Sequence, residues 1–429
     1  MKIFKSTLLV LSIMTVALVS SCKNNNNREG EVAFSEKPSR YVVEIDAIDY
    51  AFKMQPEIKS GWVTFDFENK GHKMHFGMLL KFNSPINQED LENYQKDRSD
   101  ENFEKLIGED GLTLVGGPGF HTQGQQSEMT IFLEPGDYLM SCNTRTEEGR
   151  PHYELGMEKF FKVTKEEAKA EEPVADVELK LEKYFIETSA ALKAGRQTIA
   201  VNHAGGDSFD VHLVKLNDTS SISSTLDFMN DLTSPARTIF ETGAEQKMTD
   251  GISYLTIDLQ PGNYAWVSHE YGAMGMVREF SIEADGTSDL KNSDIEQKAE
   301  VVKVLVENNE IQVPSTVKSG LLKFKIETPV DRSHEIGIGR LQPGKTFSDY
   351  EDYLKRVLKG EEPGREDNPR TGYKIILENE KDEKFNLRPG TYVLFCDYET
   401  ENGNFEHIRK GEVTHFEVLG SEEALTEVQ

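Results

Sequence analysis

A short pattern that occurs three times constrains this chain most. Leu-x-Pro-Gly-x-Tyr is found at residues 133–138, 259–264 and 387–392, at intervals of about 125 residues, which suit whole domains better than the short units of a solenoid. In each copy Pro-Gly predicts a turn, and the alternating segment that contains the tyrosine predicts a β-strand. The chain is therefore expected to contain three copies of one β-domain.

Two further features repeat in step with the turn. A glycine turn precedes a strand with a period of two residues at 58–65, 192–199 and 317–324. Segments with helical spacing follow at 88–107, 224–232 and 347–358. The predicted fold class is all-β, with a short helical insertion in each of three tandem sandwiches.

Charged and polar segments without apolar periodicity separate the copies, at 164–176 and 284–297. The predicted organisation is as follows: signal peptide 1–21, polar tether 22–37, domain 1 at 38–164, domain 2 at 177–283 and domain 3 at 300–419.

The first residues resemble the signal of a bacterial lipoprotein. A basic start and an apolar stretch lead to Leu-Val-Ser-Ser-Cys at 18–22, which resembles a lipobox. The apolar stretch is shorter than the roughly 18 to 20 residues that a spanning helix needs. The resemblance implies that Cys22 is acylated and attaches the chain to a membrane, and Lys23 after it favours the outer membrane.

Charge limits the partners. The net charge is −27, so nucleic acid, which requires a clustered basic surface, is excluded as an expected partner. A redox protein with a basic surface fits this charge, and the oligomeric state stays open.

One histidine, one cysteine, a second histidine and one methionine follow in order in domain 1: His75, Cys142, His152 and Met157. A blue-copper site needs this set, because two imidazoles and a thiolate form a trigonal plane and a thioether lies on the axis. His72 and His121 are predicted to be exposed. The alternative is that Cys142 and Met157 are only core packing.

Here the chain resembles the cupredoxin family, most clearly at 69–75 and 133–163. The resemblance implies a Greek-key β-sandwich. It also implies that His75, Cys142 and His152 are equatorial copper ligands and that Met157 is the axial one. The chain departs from small electron carriers in having nine residues between Cys142 and His152.

The other domains depart further. In domain 2, Phe209 aligns with His75, Ser268 with Cys142 and Met276 with Met157, and no histidine matches His152. Domain 2 is therefore expected to lack the site. Domain 3 offers a weaker set, in which a carboxylate stands in place of the methionine: His334, Cys396, His407 and Glu412.

The two cysteines beyond Cys22 occupy equivalent places in domains 1 and 3. This equivalence favours the same role for Cys142 and Cys396, each within its own domain. A disulfide between them is the alternative.

Three functions are compatible with these residues. The first is an envelope electron carrier or copper-binding protein, the second is a metal-free binding or scaffolding module, and copper sensing ranks last. In multicopper oxidases and copper nitrite reductases, whose domains the resemblance also covers, a histidine directly beside the ligand cysteine connects a second copper centre. No histidine lies beside Cys142 or Cys396, so catalysis is not expected.

Overall fold

The structure is a computed structural model. It describes residues 39–182, 184–203, 209–218, 220–231, 238–245, 251–286, 288–289, 298–328, 335–361, 363, 367–377, 384–396, 408 and 411–420. The predicted signal peptide, the tether and Cys22 lie outside these residues.

The three predicted Pro-Gly turns have one structure. In each turn the tyrosine hydroxyl donates to the carbonyl oxygen four residues earlier, and the tyrosine ring stacks on a phenylalanine of the next strand. The hydrogen bonds run from Tyr138 to Glu134 (2.8 Å), from Tyr264 to Gln260 (2.8 Å) and from Tyr392 to Arg388 (3.0 Å). The stacked partners are Phe161, Phe280 and Phe416. The internal repeat is therefore a repeat of structure.

Domain 1 is a two-layer sandwich. Its elements are β1 (Val42–Ile48), β2 (Ala51–Lys53), β3 (Glu57–Asn69), β4 (Met78–Phe82), α1 (Gln88–Lys96), α2 (Asp100–Ile107), β5 (Leu112–Gly116), β6 (Gln126–Leu133), β7 (Gly136–Ser141), a 3-10 turn (His152–Leu155) and β8 (Glu158–Glu167). One layer pairs β2, β1, β3 and β6, and the other pairs β8, β7, β4 and β5. The long strand β3 joins both layers, because its first residues pair with β8 and its later residues pair with β1 and β6.

Domain 2 repeats this plan. Its elements are β9 (Val177–Glu182), β10 (Phe185–Thr188), β11 (Gly195–Asn202), β12 (Val211–Leu216), α3 (Ile222–Asp231), β13 (Ile239–Ala244), β14 (Ile252–Leu259), β15 (Gly262–Val267), a 3-10 turn (Gly272–Met274), β16 (Val277–Ile282) and β17 (Ser288–Asp289). The layers are β10-β9-β11-β14 and β13-β12-β15-β16-β17.

Domain 3 follows the same order. Its elements are β18 (Glu300–Glu307), β19 (Glu310–Gln312), β20 (Thr316–Lys318), β21 (Gly320–Glu327), β22 (Ile336–Leu341), α4 (Phe347–Leu358), β23 (Arg370–Leu377), β24 (Phe385–Leu387), β25 (Gly390–Cys396) and β26 (Val413–Leu419). The layers are β19-β18-β21-β24 and β20-β26-β25-β22-β23. Neighbouring strands are often not consecutive in sequence, as in a Greek key.

The predicted fold class is confirmed: the chain is built of β-sandwiches, and each carries a short helical insertion. The helical segment of domain 1 is two helices, α1 and α2. Helix α1 begins after Asn87, whose side chain accepts hydrogen bonds from the backbone N–H groups of Glu89 and Asp90, as an N-cap residue does. None of the helices in the described part of the chain has the length and apolar character needed to cross a membrane.

Domains 1 and 2 share one sheet. Strand β6 pairs antiparallel with β14, with Thr130 opposite Tyr254 and Glu128 opposite Thr256. A second contact joins Gly119 of domain 1 to β13, where its N–H donates to the carbonyl of Gly243 at 2.9 Å. Pairing covers strand edges that would otherwise expose unpaired backbone groups.

Candidate metal centre

Three of the four predicted domain 1 ligands meet at one point. The Sγ atom of Cys142 lies 3.7 Å from Nδ1 of His152 and 4.0 Å from Nδ1 of His75. The three side chains are fully buried, and their ligand atoms all lie within 4.8 Å of one another. Within the described residues no other group of histidine, cysteine and acidic side chains is this compact.

A small hairpin brings Cys142 and His152 together despite the nine residues between them. Cys142 follows β7 directly, and Arg145 pairs with Pro151 across the hairpin. The N–H of His152 donates to the carbonyl of Thr144 at 2.8 Å. The long loop that distinguishes this chain from small carriers therefore closes on itself and returns His152 to the thiol.

Backbone hydrogen bonds connect Met157 to two of these three residues. Its N–H donates to the carbonyl of His152 at 3.0 Å, and its own carbonyl accepts from the N–H of Cys142 at 3.2 Å. Gly156, at φ +108°, makes the reversal that the hairpin needs, in a backbone region that favours glycine. Met157 is fully buried and belongs to the same apolar core as Cys142.

The helical insertion of domain 1 holds the ligand loop. Arg98, which lies between α1 and α2, donates to the carbonyl of Tyr153 at 2.8 Å and pairs with Glu158 at 3.3 Å. The hydroxyl of Tyr94 donates to Glu158 at 3.0 Å. Three polar side chains thus fix the segment between His152 and β8.

Burial sets the charge state of the ligands. It lowers the pKa of His75 and His152 to about 4 and raises the pKa of the Cys142 thiol to about 11. Both imidazoles are therefore neutral at pH 7, as metal ligation requires. The thiol would release its proton on binding a metal.

The geometry fits a first-row metal ion. Bond lengths of about 2.3 Å to sulfur and about 2.0 Å to imidazole nitrogen put the two atoms about 3.7 Å apart in a trigonal plane. The observed 3.7 and 4.0 Å require only a small contraction. Nδ1 of His152 faces Cys142 at 3.7 Å, whereas Nε2 of the same ring is buried and has no hydrogen-bond partner among the described residues.

Asp49, which the sequence did not identify, contacts the far side of the His75 ring. Its Oδ1 lies 3.1 Å from Nε2 of His75 and accepts from the N–H groups of His72 (2.8 Å) and Lys73 (3.1 Å). Burial raises the pKa of Asp49, but the hydrogen bonds from Lys73, His75 and His72 outweigh that effect and lower it overall. No motif links Asp49 to His75 along the chain.

Domain 2 has the same backbone arrangement without the ligands. The N–H of Ser268 donates to the carbonyl of Met276 at 3.1 Å, as Cys142 does to Met157. Beside Ser268, the buried carboxylate of Asp210 accepts from Ser268 Oγ, His212 Nε2 and the N–H of His269, each at 2.7 Å. A hydrogen-bonded carboxylate thus lies where domain 1 has its ligand group.

Domain 3 is only partly described. Cys396 and Glu412 are buried, and the N–H of Cys396 donates to the carbonyl of Glu412 at 3.0 Å. His334 and His407 lie outside the described residues, so the predicted second site stays a prediction. Neither Cys142 nor Cys396 is in a disulfide.

The two remaining histidines of domain 1 differ from each other. His72 has an 80% exposed side chain, as predicted. The expectation that His121 is exposed was wrong, because its ring is fully buried between the carbonyl of Gly119 and the hydroxyl of Ser127, each at 2.8 Å. The contact between domains 1 and 2 covers this part of the chain, and a single sequence does not reveal it.

No protein-family model matches the chain, and no curated protein matches it. Among solved structures, auracyanin A, a blue copper protein from Chloroflexus aurantiacus, is 18% identical over 29% of this chain and 99% of its own, with a TM-score of 0.20. A laccase from Pediococcus acidilactici is 9% identical over 89% of this chain and 92% of its own, with a TM-score of 0.17. A copper-containing nitrite reductase from Thermus scotoductus is 11% identical over 89% of this chain and 99% of its own, with a TM-score of 0.16.

The domains are cupredoxin-like. The strand order and the repeated tyrosine turn of the domains agree with that prediction, and so does the His-Cys-His group of domain 1. The donor set of this cupredoxin-like site is one that can hold copper.

The expectation that the chain is not an enzyme was wrong. Structures similar to it over most of its length are titled laccase, multicopper oxidase and nitrite reductase, and these are enzymes. The expectation rested on the residues beside Cys142 and Cys396. These residues concern only one way of passing electrons between two copper centres. They do not exclude catalysis.

Proposed function

We propose that this chain is a copper-binding electron-transfer protein of the bacterial cell envelope, with its copper site in domain 1. The observation that carries the proposal is the fully buried group of His75, Cys142 and His152. Two imidazoles and a thiolate are the equatorial ligands of blue-copper centres, and Met157 would be the weak axial ligand.

Bound copper would supply reversible one-electron transfer between Cu(II) and Cu(I). The residues supply a dry and rigid frame, because His75, Cys142, His152 and Met157 are all fully buried. One electron would arrive from a donor protein and one would leave to an acceptor protein. The partly exposed ring of Tyr50 packs edge-on against His152 with centroids 5.0 Å apart, and it offers a short path to the surface.

We infer the location from residues 1–23. The lipobox-like segment supports acylation of Cys22, and Lys23 supports the outer membrane as the destination. A net charge of −27 favours a redox partner with a basic surface over nucleic acid. Lipid labelling that is lost in Cys22→Ser, together with release of that variant from the membrane fraction, tests the anchor.

The copper site is tested by spectroscopy on the full chain solubilised in detergent. The reduced protein is loaded with copper, freed of excess ion and reoxidised, and its visible absorbance and electron-spin-resonance spectra are recorded. We expect an intense visible band that disappears in Cys142→Ser and persists in Cys396→Ser. A colourless wild-type protein without bound copper would refute the proposal.

Stability gives a second measurement. A ligand that binds only the folded state stabilises it by about 2.7 kcal/mol when its free concentration is a hundred times its dissociation constant. Copper should therefore raise the unfolding temperature of the wild type and leave that of Cys142→Ser almost unchanged.

The alternative is a metal-free binding or scaffolding role, and one observation favours it for domain 2. There Asp210 accepts hydrogen bonds from Ser268 and His212 at the place of the ligand group. The fold is thus supported without a metal in that domain. Equal thermal stability of the wild type with and without copper would extend this role to the whole chain.

A further inference from the structure

Asp49 contacts the far side of a proposed copper ligand. The His75 ring points one nitrogen, Nδ1, at Cys142 and the other, Nε2, at Oδ1 of Asp49, at 4.0 and 3.1 Å. The His75 ring is fully buried, whereas the Asp49 side chain is 30% exposed. A carboxylate and the proposed metal position therefore lie on opposite edges of one imidazole.

The backbone around Asp49 holds its carboxylate against His75. Asp49 lies in the two-residue turn between β1 and β2, and the N–H groups of His72 and Lys73 fix its Oδ1. Gly71 leaves room for it: a Cβ there would collide with Oδ1 of Asp49 and lie 2.8 Å from Nε2 of His75. The carboxylate is therefore held in one orientation toward His75.

The equivalent turns of the other domains provide an internal comparison. In domains 1 and 3 a two-residue turn joins the first two strands, and its second residue has a positive φ: 66° at Tyr50 and 62° at Asn309. In domain 2 Tyr184, directly before the second strand, has a φ of 69°. The residues that correspond to Asp49 are Lys183 in domain 2 and Asn308 in domain 3. The carboxylate thus occurs in the domain that assembles the ligand group.

We propose that Asp49 is a positioning residue that holds His75 with its proton on Nε2 and its Nδ1 lone pair toward Cys142, and that its negative charge favours Cu(II) over Cu(I). This inference rests on the proposed function of domain 1. Carboxylates that accept from a ligating histidine fix its tautomer and raise its basicity, and their removal typically weakens metal binding about 10- to 100-fold.

Charge and orientation can be separated by two substitutions. Asp49→Asn keeps the shape and an acceptor oxygen but removes the charge, and Asp49→Ala removes both. Asp46→Asn is the matched control, because Asp46 is an acidic residue of the adjacent strand β1 that pairs with Lys70 at 2.7 Å. Loss of Asp46 changes the net charge by the same amount without touching His75.

The first measurement uses the metal-free full chain in detergent. Nitrogen NMR of histidine-labelled protein, with the His75 signal assigned by its loss in His75→Asn, reports the tautomer. We expect the Nε2–H form of His75 in the wild type, Asp49→Asn and Asp46→Asn, and a mixture of tautomers in Asp49→Ala. A His75 ring protonated at Nδ1 in the wild type would overturn the positioning role.

The second measurement is the reduction potential of the copper-loaded full chain. We expect Asp49→Asn to shift the relative affinity about tenfold toward Cu(I), which is an increase of about 59 mV for a one-electron couple. Asp46→Asn should produce less than a third of that shift. Equal potentials in the wild type and Asp49→Asn would refute the role of the charge. A wild type that takes up no copper would refute the proposed function instead, and the NMR result would still decide the positioning role.

Discussion

The backbone N–H of Cys142 donates to the carbonyl oxygen of Met157 at 3.2 Å. This bond closes the loop that carries His152 and holds the proposed axial ligand beside the proposed thiolate. Domain 2 makes the same bond between Ser268 and Met276 at 3.1 Å, although its serine cannot serve as a thiolate. The backbone arrangement is thus common to both domains, and the chemistry depends on the side chains placed on it.

Replacing Met157 should therefore change the copper site, whereas replacing Met276 should not. Met157→Leu keeps the three equatorial ligands but removes a thioether donor, so we expect copper and the visible band to remain. The reduction potential should rise on the order of 60 mV, which is a tenfold change toward Cu(I). Voltammetry of both variants checks this, and an equal response from Met276→Leu would contradict the assignment of Met157.

The sequence predicts the part of this site that is encoded locally. The Pro-Gly-x-Tyr turn fixes the start of β7, and the order of His75, Cys142, His152 and Met157 follows from chain position. Closure of the loop could not be predicted, because the pairing of Arg145 with Pro151 has no sequence signature. The nine residues between Cys142 and His152 are more than small electron carriers have, but the hairpin brings the two side chains together.

Asp210 in domain 2 provides a prediction about stability. Its carboxylate is buried and accepts hydrogen bonds from Ser268, His212 and the His269 N–H. Asp210→Asn would turn one acceptor into a donor that faces other donors. We expect a loss of about 2 to 4 kcal/mol in the free energy of unfolding, measured by urea denaturation at pH 7.

The pH dependence of that loss has a definite sign. Burial raises the pKa of Asp210, but its hydrogen bonds and the nearby His212 and His269 outweigh burial and hold the pKa well below its usual value. A depressed carboxyl pKa adds stability that is complete above the unfolded value of about 3.9 and is lost as the pH falls below it. The difference between the wild type and Asp210→Asn should therefore shrink below pH 4, and a difference that grows there would contradict this account.

Glu245 gives the opposite case. The Glu245 side chain is buried. Its Oε1 has no hydrogen-bond partner among the described residues and lies 3.9 Å from Nε2 of His212. Burial, with Asp210 and Glu270 nearby, raises its pKa well above the usual value. The folded state therefore binds a proton that the unfolded state releases, and stability falls as the pH rises above about 4.3.

We therefore expect Glu245→Gln to raise the unfolding temperature at pH 8 and to have little effect at pH 4. The change should grow by about 1.4 kcal/mol for each pH unit above about 4.3 over which folded Glu245 keeps its proton, because Gln needs no proton to be neutral. Thermal scans of both proteins at the two pH values check this. A variant less stable than the wild type at pH 8 would show that Glu245 is an ionised partner of His212.

Contacts between distant segments account for what the sequence could not predict. Asp49 reaches His75 across 26 residues, and the pairing of β6 with β14 joins two domains that local patterns describe as separate. The same contact region buries His121, which local polarity had placed at the surface. A period of two residues identifies a strand and its buried face, but it does not identify which edge that strand meets.

The repeated tyrosine turn allows its contribution to the free energy of unfolding to be compared in all three domains. The hydroxyls of Tyr138, Tyr264 and Tyr392 donate to the carbonyl oxygen four residues earlier, at 2.8 to 3.0 Å, while each ring stacks on a phenylalanine. Tyr→Phe at each position removes the hydrogen bond and keeps the stack, so each should cost about 1 kcal/mol. Tyr138→Ala also removes the buried ring and should cost about 3 to 5 kcal/mol. Urea denaturation of the four variants separates the two contributions: similar losses from the three phenylalanine variants would show that the turn stabilises each domain in the same way, whereas a loss confined to Tyr138→Phe would show that only domain 1 depends on it.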